Sequence, residues 1–243
     1  MTENVSWVDY AQIGLLVVGV CLWFFPKKNR GGAPLRLPLW KSSWWEGGLY
    51  LVLGVLVVAT GLPGGFLLPC IVFLLLREIG NSKHSFPLTN QSLSWTEITQ
   101  TSLRNFILHW PVLFLVYWLW AKFLPDAEPQ GNVQALREGD LAMQFNIAIF
   151  AVVIAPLTEE LFFRGILYRT LKSLIDSGPA ILLTSLAFAL AHQNLLAFGP
   201  LFALSVFLII SYEKSGHLAV PIIYHACFNL LMVIFVVFGN AGT

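Results

Sequence analysis

Charge is what this chain has least of. Only 11% of its 243 residues are Asp, Glu, Lys or Arg, against about 25% in an ordinary soluble domain. So few charged groups cannot cover a water-facing surface. The 14 Lys+Arg nearly cancel the 13 Asp+Glu, leaving a net charge of +1. That balance provides no basic face and excludes nucleic acid as a partner. The 57% of hydrophobic residues excludes a disordered chain. Cysteine is also scarce. Cys21, Cys70 and Cys227 stand far apart inside apolar runs, in neither a metal-ligand nor a disulfide spacing, and read as small lipid- or core-facing side chains. No internal repeat or low-complexity segment is present, and no polar connection is long enough to fold as a domain of its own.

What the chain does have is a series of apolar runs, most of them roughly 15 to 20 residues long, the length that crosses a bilayer as a helix. The expected fold is all-α, a polytopic transmembrane helical bundle. Its runs are Tyr10–Phe25, Gly48–Leu62, Phe66–Leu76, Asn105–Leu124, Ala142–Leu171, Pro179–Leu196, Phe198–Tyr212 and Leu218–Phe238. This makes about eight spans, or about seven if Phe66–Leu76, at roughly 17 Å of helix, crosses only partway. Tyr10–Phe25 reads as a retained span and not a signal peptide, because Glu3 and Asp9 precede it while Lys27, Lys28 and Arg30 follow. The loop Pro26–Gly47 holds Lys27, Lys28, Arg30, Arg36 and Lys41 against Glu46 alone, which places it in the cytoplasm. The loop Pro125–Leu141 carries Asp126, Glu128, Glu138 and Asp140 against Arg137 and suits the opposite side. The organisation is one membrane domain over 1–243, with polar motifs confined to 142–238 and motif-free spans over 1–125. Such a chain is a multi-pass integral membrane protein, in a bacterium one of the plasma membrane, and the lipid bilayer is its first partner.

Ionisable groups inside a bilayer cost several kcal/mol each on insertion scales, so they mark function. Three clusters occur. In Thr158-Glu159-Glu160-Leu161-Phe162-Phe163-Arg164, Glu160 and Arg164 are four apart and share a helix face, where they can pair. Glu159 is turned by about 100° from Glu160. It is left as an unpaired carboxylate facing a cavity, able to act as a general base. Phe188 and His192 share a face of the next span, beside the small residues Ala187, Ala189 and Ala191 that permit close packing. His225 and Asn229 are four apart in the last span and project to one side. Each cluster alone is compatible with a structural hydrogen bond. Together they must meet, because isolated polar groups would go unsatisfied in hydrocarbon. His192 is therefore expected within about 10 Å of Glu159, close enough for direct contact or one water. His109, next to Trp110-Pro111, reads as a kink or interfacial residue.

Glu-Glu-x-x-x-Arg, Phe-x-x-x-His and His-x-x-x-Asn, in this order and each inside an apolar span, resemble the CAAX protease and bacteriocin-processing family. This group of intramembrane peptidases includes the Ras-converting prenyl-protein endopeptidase. The match covers about Ile154–Asn229; the earlier spans carry no motif. The resemblance implies a site of Glu159, Glu160, Arg164, His192, His225 and Asn229. In it Glu159 and His192 activate water, Glu160 and Arg164 brace the site, and His225 and Asn229 hold water or the oxyanion. It also implies a membrane-associated or lipid-anchored peptide substrate, of the prenylated CAAX type in some members; a metal-free glutamate mechanism, with no cofactor, is the reading favoured here.

Three other readings stand beside it. A metallopeptidase would use zinc or another divalent metal on Glu159, His192 and His225, although no His-Glu-x-x-His helix is present. A non-catalytic membrane factor for immunity or regulation could keep the same motifs. An ion or proton transporter would use buried charges, but such proteins have paired half-repeats and the polar clusters here lie in one half. The charge distribution places the Arg169 end of the motif helix in the cytoplasm. Glu159 and His225 lie about 12–15 Å of helix from that end, so access from the cytoplasmic leaflet is expected.

Overall fold

A computed structural model describes Leu37 and residues 43–61, 65–79, 92–124 and 126–239. The expected span Tyr10–Phe25, with Cys21, and most of the cation-rich loop Pro26–Gly47 lie outside the described residues. Among those described, the elements are all helices: α1 Trp44–Thr60, α2 Leu67–Ile79, α3 Trp95–Lys122, α4 Gly131–Glu138, α5 Leu141–Leu174, α6 Ser177–Ala191, α7 Leu195–Ser215 and α8 Ala219–Phe238. Three of them, α5, α7 and α8, are long and apolar enough to cross a membrane, and α1 and α6 are shorter apolar helices.

Local chemistry explains where the helices depart from the expected runs. The sequence reads Arg77–Arg104 as a connection, yet helix begins at Trp95. Ser94 and Glu97 form a capping box, in which the Ser94 N–H donates to the Glu97 carboxylate at 2.9 Å and the Glu97 N–H donates back to Ser94 Oγ at 3.3 Å. The short α4 lies inside the acidic loop expected between spans. Asp140 starts α5, its carboxylate accepting from the Met143 N–H at 2.8 Å. α6 stops at Ala191, earlier than the expected Leu196. Gln193 takes a left-handed φ of 48°, and Asn194 caps α7 by accepting from the Ala197 N–H at 2.8 Å.

α5 positions the site. Two π-helical stretches, Phe150–Ile154 and Leu161–Tyr168, flank the α-helical turn Ala155–Glu160. Pro156 has no N–H to give and its ring would clash with the carbonyl four residues back. The irregularity that this imposes takes the form of a widened turn just before it. The C-terminal half of α5 runs through the middle of the bundle, touched by α1, α2, α6 and α7, while its N-terminal half packs against α4 and α8. One apolar core gathers Phe162, Phe163, Leu167, Phe188 and Ile209 around that central half. A second lies between α3, α7 and α8, from Trp110 and Leu113 to Leu204 and Phe228. α1 approaches α5 at Gly54, where a Cβ would stand 2.8 Å from the Phe162 ring, so only glycine fits. Close approach through small residues is how helices associate where lipid supplies no hydrophobic force. Cys70 and Cys227 are free thiols.

Candidate active site

Glu159 and Glu160 leave α5 in different directions, as successive residues of a helix must. Glu160 is fully buried. Its Oε1 accepts from Arg164 Nη1 at 2.7 Å, one turn further along, and faces His225 Nδ1 of α8 at 2.9 Å. Arg164 is fully buried as well. Its Nη2 donates to Ser205 Oγ of α7 at 3.0 Å, and its guanidinium lies over the Phe188 ring of α6, 4.5 Å from the centroid. A charged group at zero exposure needs such partners, because burying it alone costs several kcal/mol.

Glu159 has none of these supports. Its Oε2 is buried without a hydrogen-bond partner and stands 4.0 Å from His192 Nε2 and 4.0 Å from His225 Nε2. The Glu159 side chain is 14% exposed and that of His192 22%. The His192 ring is fixed by Nδ1, 2.8 Å from the Phe188 carbonyl oxygen. A carbonyl only accepts, so Nδ1 carries the proton and Nε2 turns a lone pair toward Glu159. The side chain of His225 is 2% exposed; with Nδ1 donating to Glu160, its Nε2 also faces Glu159. His192 follows the last residue of α6 and so sits at a helix end, not within the span as its place in the run Pro179–Leu196 suggested.

Asn229 stands one turn beyond His225 on α8. Its Nδ2 donates to the Ala151 carbonyl at 2.7 Å, inside the first π-helical stretch. The structure brings Glu159, Glu160, Arg164, His192 and His225 into one cluster, and the Asn229 amide fastens α8 to the widened turn beside it. His109, outside the cluster, stacks on Phe207 at 4.1 Å and meets Tyr224 Oη at 3.1 Å. Among the described residues, no group of three His, Cys, Asp or Glu side chains is arranged to hold a metal ion. The two 4.0 Å separations exceed the roughly 3.3 Å between neighbouring ligands of a tetrahedral zinc with bonds of about 2.0 Å.

Two groups of residues escaped the sequence reading. Ser205 gave a faint signal, a small hydroxyl in an otherwise apolar stretch. Lys172, Glu213 and Tyr168 form a second buried network. Lys172 Nζ pairs with Glu213 Oε1 at 2.6 Å, and the Tyr168 hydroxyl donates to the same oxygen at 2.6 Å. Lys172 and Glu213 each fall at the edge of an apolar run, where a charge is ordinarily a boundary marker.

Residues 142–231 match a family described as type II CAAX prenyl endopeptidase Rce1-like. Over 102 residues the chain is 35% identical to the membrane-embedded CAAX protease MroQ of Staphylococcus aureus (strain USA300), covering 39% of this chain and 41% of that protein. An uncharacterized 24.3 kDa protein of Escherichia coli is 36% identical over 78 residues, 30% of this chain and 36% of its own. The UPF0177 protein YbdI of Lactococcus lactis subsp. lactis (strain IL1403) is 27% identical over 124 residues, 50% of this chain and 67% of its own. The chain thus spans about two fifths of the first two relatives. No solved structure matches. Residues 142–231, which hold every side chain of the cluster, are thus similar to the Rce1-like CAAX endopeptidases, within the group that the three motifs resemble.

Proposed function

We propose that this chain is an intramembrane endopeptidase, in a bundle of about eight passes, that cuts membrane-associated peptides with a water activated by Glu159 and His192. The observation that carries the reading is the unpartnered Glu159 oxygen, 4.0 Å from two imidazole Nε2 atoms. Atoms so spaced are joined by one water through hydrogen bonds of about 2.8 Å. That water donates one proton to Glu159 and the other to the His192 lone pair. As its oxygen attacks the scissile carbonyl carbon, Glu159 takes the first proton. It returns that proton to the leaving nitrogen when the C–N bond breaks, releasing an acid and an amine.

The developing oxyanion needs a donor about 2.7–3.1 Å away, and His225 is placed for it. As an imidazolium it donates Nδ1–H to Glu160 and turns Nε2–H to the oxyanion. Two carboxylates, one guanidinium and one imidazolium then sum to zero, the balance a buried cluster needs. Glu160 and Arg164 hold His225 and do not touch the substrate. This route uses no metal. Were one bound, Glu159, His192 and His225 would be its ligands, and elemental analysis of the purified protein decides between the two.

The substrate class rests on the family and on the printed name of MroQ, a membrane-embedded CAAX protease. Peptides ending in a CAAX sequence, with and without a prenyl group on the cysteine, should be cut by the purified protein in nanodiscs and left intact by Glu159→Gln. Loss of all cleavage in the wild type, with the cellular phenotype kept in Glu159→Ala, would favour a non-catalytic membrane factor.

A further inference from the structure

We propose that the reacting centre is reached from the end of the bundle that carries the His192–Asn194 turn, and that the Arg169 end is closed by a polar lock on Leu37. The proposal rests on Glu159, His192 and His225 being the reacting centre. It reverses the direction of access that the charge distribution suggested.

Two observations carry it. The first is a change of burial along α5 at Glu159. Every residue from Phe162 to Lys172 is buried. The neighbours at those levels close over them, with Thr184, Ser185 and Phe188 on α6 and Leu204, Leu208 and Ile209 on α7 all at zero exposure. In the other direction Val153, Ile154 and Leu157 are exposed. The two partly exposed members of the cluster, Glu159 and His192, stand where these regions meet. Because α6 ends at Ala191, the His192 ring borders the turn that follows. That turn is fixed in place by its own side chains. Gln193 Nε2 donates to the Val58 carbonyl at 3.0 Å, and Asn194 Nδ2 donates to the Glu128 carbonyl at 3.0 Å.

The second observation is what lies at the far end. Lys172 Nζ donates to the Leu37 carbonyl at 3.0 Å, and the Leu37 N–H donates to Glu213 Oε2 at 3.2 Å. Both polar groups of one backbone residue are gripped by a buried ion pair, with the Leu37 side chain 3% exposed in the central core. A peptide cannot pass there without unmaking that pair and the core beneath it. If the Arg169 end faces the cytoplasm, the substrate is an apolar peptide segment in the opposite leaflet, running past Ile154 and Leu157.

Water-borne thiol reagents test this in a background with Cys21, Cys70 and Cys227 replaced by alanine. Gln193→Cys and Ser173→Cys report the side that each end faces. Glu159→Cys and His192→Cys report the centre, and His192→Cys keeps the Glu160–Arg164–His225 contacts if Glu159→Cys fails to fold. Right-side-out and everted vesicles are treated with a charged methanethiosulfonate, and the remaining thiols are counted by mass tagging. Both centre cysteines should react at least tenfold faster from the side that labels Gln193→Cys. Equal or faster reaction from the Ser173→Cys side, or no reaction from either, overturns the proposal. Labelling needs no hydrolysis, so a protein that labels as expected but cuts no peptide removes the proposed function alone.

Discussion

At the scale of single residues, adjacent carboxylates on one helix have unlike tasks because their surroundings differ. Glu160 accepts from Arg164 and His225, whereas Glu159 Oε2 has no hydrogen bond. Glu159→Gln should therefore lower kcat by about 10²–10⁴, the range for loss of a general base, while thermal unfolding in detergent stays within a few degrees of wild type. Arg164→Ala should act the other way round. Removing one partner of a buried pair leaves an uncompensated charge and costs about 3–5 kcal/mol, read as poor expression and a lowered Tm. A stable but inactive Arg164→Ala would give the guanidinium a direct part in the chemistry. The meeting of these side chains was legible in the sequence, because a four-residue spacing fixes the Glu160–Arg164 pair and the rotation from Glu160 frees Glu159. Ser205 was not legible. A lone serine in an apolar helix has many uses, and only the fold brings its hydroxyl within 3.0 Å of the Arg164 guanidinium.

At the scale of elements, α5 alternates between α and π geometry in five stretches, and the turn bearing Glu159 and Glu160 lies between the two widened ones. The sequence marked the irregularity through Pro156 but could not show its form, since the same proline produces a kink or a π turn according to what packs outside it. Here the outside partner is Asn229, donating to the Ala151 carbonyl. Asn229→Ala should remove that fastening, cost about 1 kcal/mol through the loss of a half-buried hydrogen bond, and speed amide exchange in Phe150–Ile154. A slowed reaction with unchanged exchange there would return Asn229 to direct contact with the oxyanion. Gly54 makes a separate point about α1. Its replacement by leucine drives a side chain into Phe162 and should separate α1 from α5. Overpacking typically costs about 1–3 kcal/mol, so Tm should fall while the Glu159 cluster, held by α5, α6 and α8, keeps its distances.

At the scale of the molecule, two buried polar networks occupy the two halves of α5's central stretch. One ties α5, α6, α7 and α8 around Glu160; the other ties α5, α7 and the backbone at Leu37 around Glu213. Apolar runs told the sequence reader that helices would bundle, but not which faces meet. In lipid every helix has an apolar exterior, and packing, not hydrophobic burial, selects partners. The second network was hidden for the same reason, its charges standing where runs end. Its contribution can be measured by a double-mutant cycle. Lys172→Met removes the cation paired with buried Glu213 and leaves it the Tyr168 hydroxyl and the Leu37 N–H, and should cost about 3–5 kcal/mol. Lys172→Met with Glu213→Leu removes both charges, and exchanging such a pair for apolar side chains is often close to neutral. The double variant should therefore recover most of the lost Tm. It still releases the Leu37 backbone, so limited proteolysis should cut near Leu37 faster in the double variant than in wild type. Equal cutting rates would mean that the core around the Leu37 side chain holds this segment without help from the ion pair.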